Sequence, residues 1–174
     1  MSDNDKTELH SWCETTFDEN VIFNHNWRIK NFKKVDKFQR CEFVICVNER
    51  NIPVRARIYP CGFKDHTNDV SFEDYVMLGV YITQHDSVSM ALETAIFDRD
   101  GKKQHIRKNS AREFKFCIFE GFILLKSDDL FGEENGLLSA DGNLTISMKF
   151  TILLGDTVKS ASQLNIKVFA IIKG

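Results

Sequence analysis

Apolar and polar residues alternate along most of this chain, and clusters of Asn, Asp, Gly and charged residues interrupt the alternation. A period of two places successive side chains on opposite faces of an extended backbone, so each such run predicts a half-buried β-strand. Trp27 and Ile29 oppose Arg28 and Lys30, and the apolar face of that strand makes Trp27 a core residue. Cys41, Phe43, Ile45 and Val47 oppose Glu42, Val44 and Cys46. After the polar run from Asn48 to Asn51, Val54, Ala56 and Ile58 oppose Arg55, Arg57 and Tyr59, and the two runs read as a hairpin. Pro60 and Gly62 end it, because proline cannot donate to a ladder and glycine supports the sharp turn that follows. Val76, Leu78, Val80 and Ile82 then oppose Tyr75, Met77, Gly79 and Tyr81. A further strand runs from Ser89 to Phe97, closed by the turn Asp98-Arg99-Asp100-Gly101.

The stretch from Arg112 to Ile152 organises the rest. Strand-like Glu113 to Phe119 leads into Glu120 to Leu125. If Phe114, Phe116 and Ile118 face the core, Phe119 points outward. Leu144, Ile146, Met148, Phe150 and Ile152 form the dry face of the cleanest strand, whereas Leu164 to Ile172 reads as a strand buried on both faces. Lys33 to Arg40 and the basic run Lys102 to Ser110 are expected to be exposed connections. Helix is confined to about one turn, Ser127 to Phe131, with Ser127 as its cap. These elements predict an all-β fold, an antiparallel sandwich of about eight strands. Residues 1–20 are expected to be a flexible arm anchored by Trp12 and Phe17, residues 21–154 the sandwich, and residues 155–174 a loop and strand leading toward a linker.

Composition narrows the function classes. A chain of 174 residues with 15 phenylalanines and two prolines can bury a substantial core as one domain; domains near this size bury roughly 70% of their unfolded surface. A net charge of −2 with intermixed signs offers no field for phosphates, so nucleic acid is not an expected partner. No apolar run reaches the roughly 20 residues of a membrane span, and the polar start lacks the layout of a signal peptide. The chain is therefore expected in the nucleus or cytoplasm, without a membrane, and its five cysteines are expected to be reduced and mostly buried. Cys41/Cys46 and Cys61/His66 lack the paired spacing of a zinc site, so no metal is expected. The five histidines lie in polar, turn-like segments, and exposed histidines are the ordinary explanation. With no GxSxG, GxGxxG or HExxH, neither catalysis (a Cys61/His66 hydrolase being the one enzyme alternative) nor a cofactor is expected.

Trp27-Arg28-Ile29-Lys30-Asn31-Phe32, Tyr59-Pro60-Cys61-Gly62, Gly121-Phe122, Ser127-Asp128-Asp129-Leu130 and Asn135-Gly136-Leu137-Leu138 fall in a recognisable order. Over roughly residues 11–154 the chain resembles the MATH (meprin and TRAF homology) domains, most of all those of the speckle-type POZ group, whose lead-in is similar to Ser11-Trp12-Cys13. The resemblance implies an eight-stranded sandwich that catalyses nothing. It implies binding of a short, extended Ser/Thr-rich peptide of a substrate protein in a shallow groove. It also implies work as the substrate-recognition part of a cullin-RING ubiquitin ligase, with a BTB/POZ domain to dimerise and engage the cullin scaffold. No BTB/POZ sequence occurs in the 174 residues, so that domain is expected in a longer chain or a partner; a MATH-only competitor without ligase function is the alternative.

Carried over through those motifs, the peptide-binding positions are Arg57, Gly79, Leu92, Arg112, Ile118, Phe119, Glu120, Gly121 and Phe122. The Gly-Phe pair and the basic residue match the family. The aromatics expected at Gly79, Arg112 and Glu120 are missing, and Leu92 replaces another ring. Arg57, Arg112 and Glu120 thus bring three charges to a floor that the family keeps apolar, with Leu92 and Phe122 as the apolar remnant, which favours a more polar or acidic ligand. Alternatively, Arg112 and Glu120 pair with each other. Gly121 admits a ligand backbone or marks a bulge before Phe122. Binding is expected to add main-chain hydrogen bonds at a strand edge to side-chain pockets. Two other readings remain open. A TRAF-like module binding receptor tails needs upstream heptads, which residues 3–20 lack; a ligand-carrying barrel needs a large internal apolar pocket.

Overall fold

A computed structural model of the chain describes residues 7–15, 20–47, 50–65, 70–84 and 87–153. The strand expected over Leu164 to Ile172 lies outside them. Two antiparallel sheets face each other. One carries five strands in the order β1 (Thr7–Thr15), β2 (Val21–Ile29), β11 (Leu144–Ile152), β8 (Val88–Phe97) and β9 (Lys103–Phe114). The other carries four, β10 (Glu120–Lys126), β7 (Tyr75–Ile82), β4 (Arg50–Tyr59) and β3 (Gln39–Val47). A short ribbon, β5 (Lys64–Asp65) with β6 (Val70–Ser71), leads back into β7. The fold is the all-β antiparallel sandwich that the alternation predicts, and β3 and β4 form the expected hairpin.

Between the sheets the alternating residues meet as one core. Phe23, Trp27, Ile29, Phe43, Ile45, Ile58, Leu78, Ile82, Phe114, Phe150 and their neighbours exclude solvent. Phe23, Phe43 and Phe150 form an aromatic centre with ring centroids 5.5 to 6.4 Å apart. Burying such side chains contributes about 1.5–3 kcal/mol each, against the entropy of ordering the chain. His25 belongs to this core too, fully buried on β2 with its ring 4.1 Å from that of Phe43. The expectation of exposed histidines fails there, because position 25 continues the inward set of Phe23 and Trp27.

Several local expectations change where tertiary pairing overrides composition. The presumed arm contains β1, which pairs with β2 without interruption from Thr7↔Ile29 to Thr15↔Val21. The presumed connection over residues 102–110 is most of β9, a strand exposed over nearly its whole length at the margin of its sheet. Polar composition concealed it because a margin strand this exposed buries little side chain, so its residues need no apolar alternation. Ser127 is the first residue of α1 (Ser127–Phe131) rather than its cap. Its hydroxyl donates to the Pro60 carbonyl at 2.9 Å, tying the helix to the end of β4.

The motifs that carried the resemblance mostly hold loops. Asn31, in left-handed backbone geometry, donates its N–H to the Asn143 side-chain oxygen, and Phe32 donates to the Gly142 carbonyl. Arg99 donates from Nε to Leu138 and from its guanidinium to Glu133, fastening the β8–β9 turn to the Asn135-to-Leu138 loop. Gly62, at φ 57°, is obligatory: a Cβ there would stand 1.8 Å from the Phe72 carbonyl oxygen.

Candidate functional site

The outward face of the four-stranded sheet can be written as rows from the strand register. Ile123, Met77 and Tyr59 make one row, from β10 through β7 to β4. Gly121, Gly79, Arg57 and Arg40 make the next, reaching β3. Tyr81, Arg55 and Glu42 make the third. These positions alternate with the core residues of the same strands, so the rule that builds the core also builds this face.

Two glycines side by side leave the sheet backbone bare, and Phe119 lies in that notch. A Cβ placed on Gly79 would stand 1.8 Å from the Phe119 ring, and one on Gly121 would stand 3.3 Å from it. The ring is held edge-on by Tyr59 and Phe63, at centroid distances of 6.1 and 5.5 Å. Phe119 reaches this place because β9 ends at Phe114 and the chain turns. Cys117 takes φ 55° and donates its N–H to Ile82, and Ile118 donates to Lys115. That turn overturns the expected alternation: Phe114 is core, whereas Phe116 and Ile118 are exposed and Phe119 covers the sheet.

Beside the notch stands an arginine and aromatic stack. The Arg57 guanidinium lies 5.2 Å from the centroid of Phe38 and 5.4 Å from that of Tyr81. Arg55 also lies near Tyr81, 5.5 Å from its ring centroid, donates to its hydroxyl at 3.1 Å and pairs with Glu42. The Tyr81 hydrogen bond, ahead of the Glu42 carboxylate, raises the pKa of Arg55. With Arg40 the face holds three arginines and one carboxylate, a local positive balance on a nearly neutral chain. β7 is consequently buried on both faces, Met77 and Tyr81 included.

The nine expected binding residues divide into three groups. Arg57, Gly79, Phe119 and Gly121 share this outward face. Arg112 and Glu120 meet at 2.9 Å at the seam where β9 and β10, the neighbouring margins of the two sheets, approach, and Ile118 is exposed. Leu92 and Phe122 are core residues, 1% and 4% exposed, so they line no groove here. The correction has a simple cause. Phe122 pairs with Leu78 on the inward parity of β7 and stacks on Phe114, while Leu92 sits opposite Phe150. Arg112 lies over the Phe122 ring at 5.3 Å and caps it from solvent.

Sequence reasoning passed over Phe38, Tyr59, Phe63 and Tyr81 as a cluster. The signal was available for Tyr59 and Tyr81, which fall on the same parity as Arg57 and Gly79. Phe38 and Phe63 come from loops, whose placement has no periodicity. The thiols divide as well: Cys41 is buried, which pushes its pKa far up, whereas Cys61 and Cys117 are exposed. No protein-family model and no curated protein matches the chain.

Proposed function

We propose that the chain is a protein-interaction module of the MATH type, receiving a short extended segment of another protein across the outward face of β10, β7 and β4. The carrying observation is the row Gly121, Gly79, Arg57, where a ring, Phe119, packed over two glycines adjoins a half-buried guanidinium held between two aromatic side chains. Aromatic and arginine side chains in such settings dominate protein recognition energies. A ligand carboxylate at Arg57 would meet a strong, partly buried cation, and ligand main chain would pair along the margin of β10. The preferred ligand is an acidic or polar segment, because the arginines outnumber the carboxylates on this face.

Within a larger assembly, the resemblance makes this module the substrate-selecting part of a cullin-RING ubiquitin ligase, with a BTB/POZ domain supplying dimerisation and scaffold contact. The fold class and the order of the motifs support the reading. Selection of random displayed peptides on the wild-type protein, repeated on Arg57→Glu, tests the site. Peptides enriched by the wild type are expected to carry Asp or Glu and to lose the variant. Peptides that bind both proteins equally would place recognition elsewhere.

A further inference from the structure

The margin strand β3 has features that the margins β9 and β10 lack. Its pairing with β4 runs without a break from Gln39↔Ile58 to Val47↔Arg50, and it contains no proline, lysine or bulge. Among the described residues, nothing pairs with its other side. Open strand margins template further pairing, and proteins blunt them with lysines and bulges. β9 carries Lys103, Lys108 and two register shifts, and β10 carries a shift and Lys126. β3 has no such guard.

The residues around Cys41 are also self-complementary. A two-fold axis through Cys41, relating antiparallel β3 strands, sets Arg40 opposite the second copy's Glu42 and Glu42 opposite its Arg40. The same axis sets Phe38 against Val44 twice. All four side chains occupy the outward parity of β3 or its lead-in; Phe38 is 41% exposed and Arg40 is exposed. Glu42 keeps one oxygen on Arg55, and a carboxylate has capacity for a second cation. Opposite charges directly across a strand pair stabilise it, and like charges do the reverse.

We propose that β3 is the docking strand for a second copy of the chain, joining two four-stranded sheets into one continuous sheet across an isologous, closed two-fold contact. The contact occupies the β3 end of the outward face, with Phe38, Arg40 and Glu42, and depends on charge pairing across the axis rather than on a ligand at Gly121, Gly79 and Arg57.

Sedimentation over a range of concentrations tests it with the full chain. The wild type is expected to pass from monomer to dimer. Arg40→Glu and Glu42→Arg are each expected to remain monomeric alone, because each sets like charges across the axis twice. An equimolar mixture of the two variants is expected to dimerise, since glutamates then face arginines throughout. The double exchange Arg40→Glu/Glu42→Arg is expected to restore the homodimer. A monomeric wild type at every concentration, single variants that dimerise alone, or a mixture that does not associate would each overturn the proposal. Hydrogen exchange on the wild type needs no variant to fold: β3 amides are expected to gain protection with concentration while β9 amides do not, and equal behaviour of the two strands would also overturn it.

Discussion

Phe119 and Phe122, three residues apart, show how parity decides the role of a side chain. Phe122 on the inward parity is core, and Phe122→Ala is expected to cost about 3–5 kcal/mol in denaturant unfolding, the range for removing a buried ring. Phe119, lying over glycines on the outward face, leaves no core cavity when removed. Phe119→Ala is therefore expected to cost clearly less stability than Phe122→Ala in the same assay, while changing affinity for peptides selected on the wild type. Gly79→Ala drives a Cβ into the Phe119 ring, the mobile end of a side chain, so the ring must swing away. That substitution is expected to leave the far-ultraviolet circular dichroism unchanged and to alter the near-ultraviolet signal of the Tyr59, Phe63 and Phe119 cluster. At the seam, the Arg112–Glu120 pair is partly exposed and contributes about 0–1 kcal/mol, so its removal is expected to be felt through Phe122, which Arg112 covers.

Turns and margins set the behaviour of the elements. The β8–β9 turn is held by Asp98, whose carboxylate accepts the Gln104 side chain and the N–H groups of Lys102 and Asp100. The Gln104 contact first, then Lys102, lowers its pKa. A depressed carboxylate stabilises the fold above its unfolded pKa, and that contribution is lost as pH falls through the folded value. The Lys102 and Asp100 amide resonances are expected to titrate together with a midpoint below the ordinary aspartate range, a transition absent in Asp98→Asn. β1 closes one margin of the five-stranded sheet along all of β2. Deleting residues 1–16 is expected to lower the thermal midpoint and promote aggregation measured by light scattering, because β2 then presents its unpaired groups to other chains.

Across the whole molecule, β11 pairs with both β2 and β8, so strands from the two ends and the middle of the chain close one sheet over one core. Unfolding followed by tryptophan fluorescence and by far-ultraviolet circular dichroism is expected to give coincident transitions, since neither sheet keeps an apolar face covered without the other. The alternation of residues 41–59, 75–82 and 144–152 by itself determined the strands, the hairpin, the sandwich class and most of the core, because backbone pleating converts a period of two directly into an inside and an outside. The same parity made Arg57 and Gly79 neighbours of Tyr59 and Tyr81 in principle. Only the tertiary structure decided which strands became margins, that a polar run would be β9, and that the turn at Cys117 would lay Phe119 across two glycines. Those outcomes depend on contacts between residues far apart in the chain and on loop backbone without periodicity, and a pattern read along one dimension carries neither.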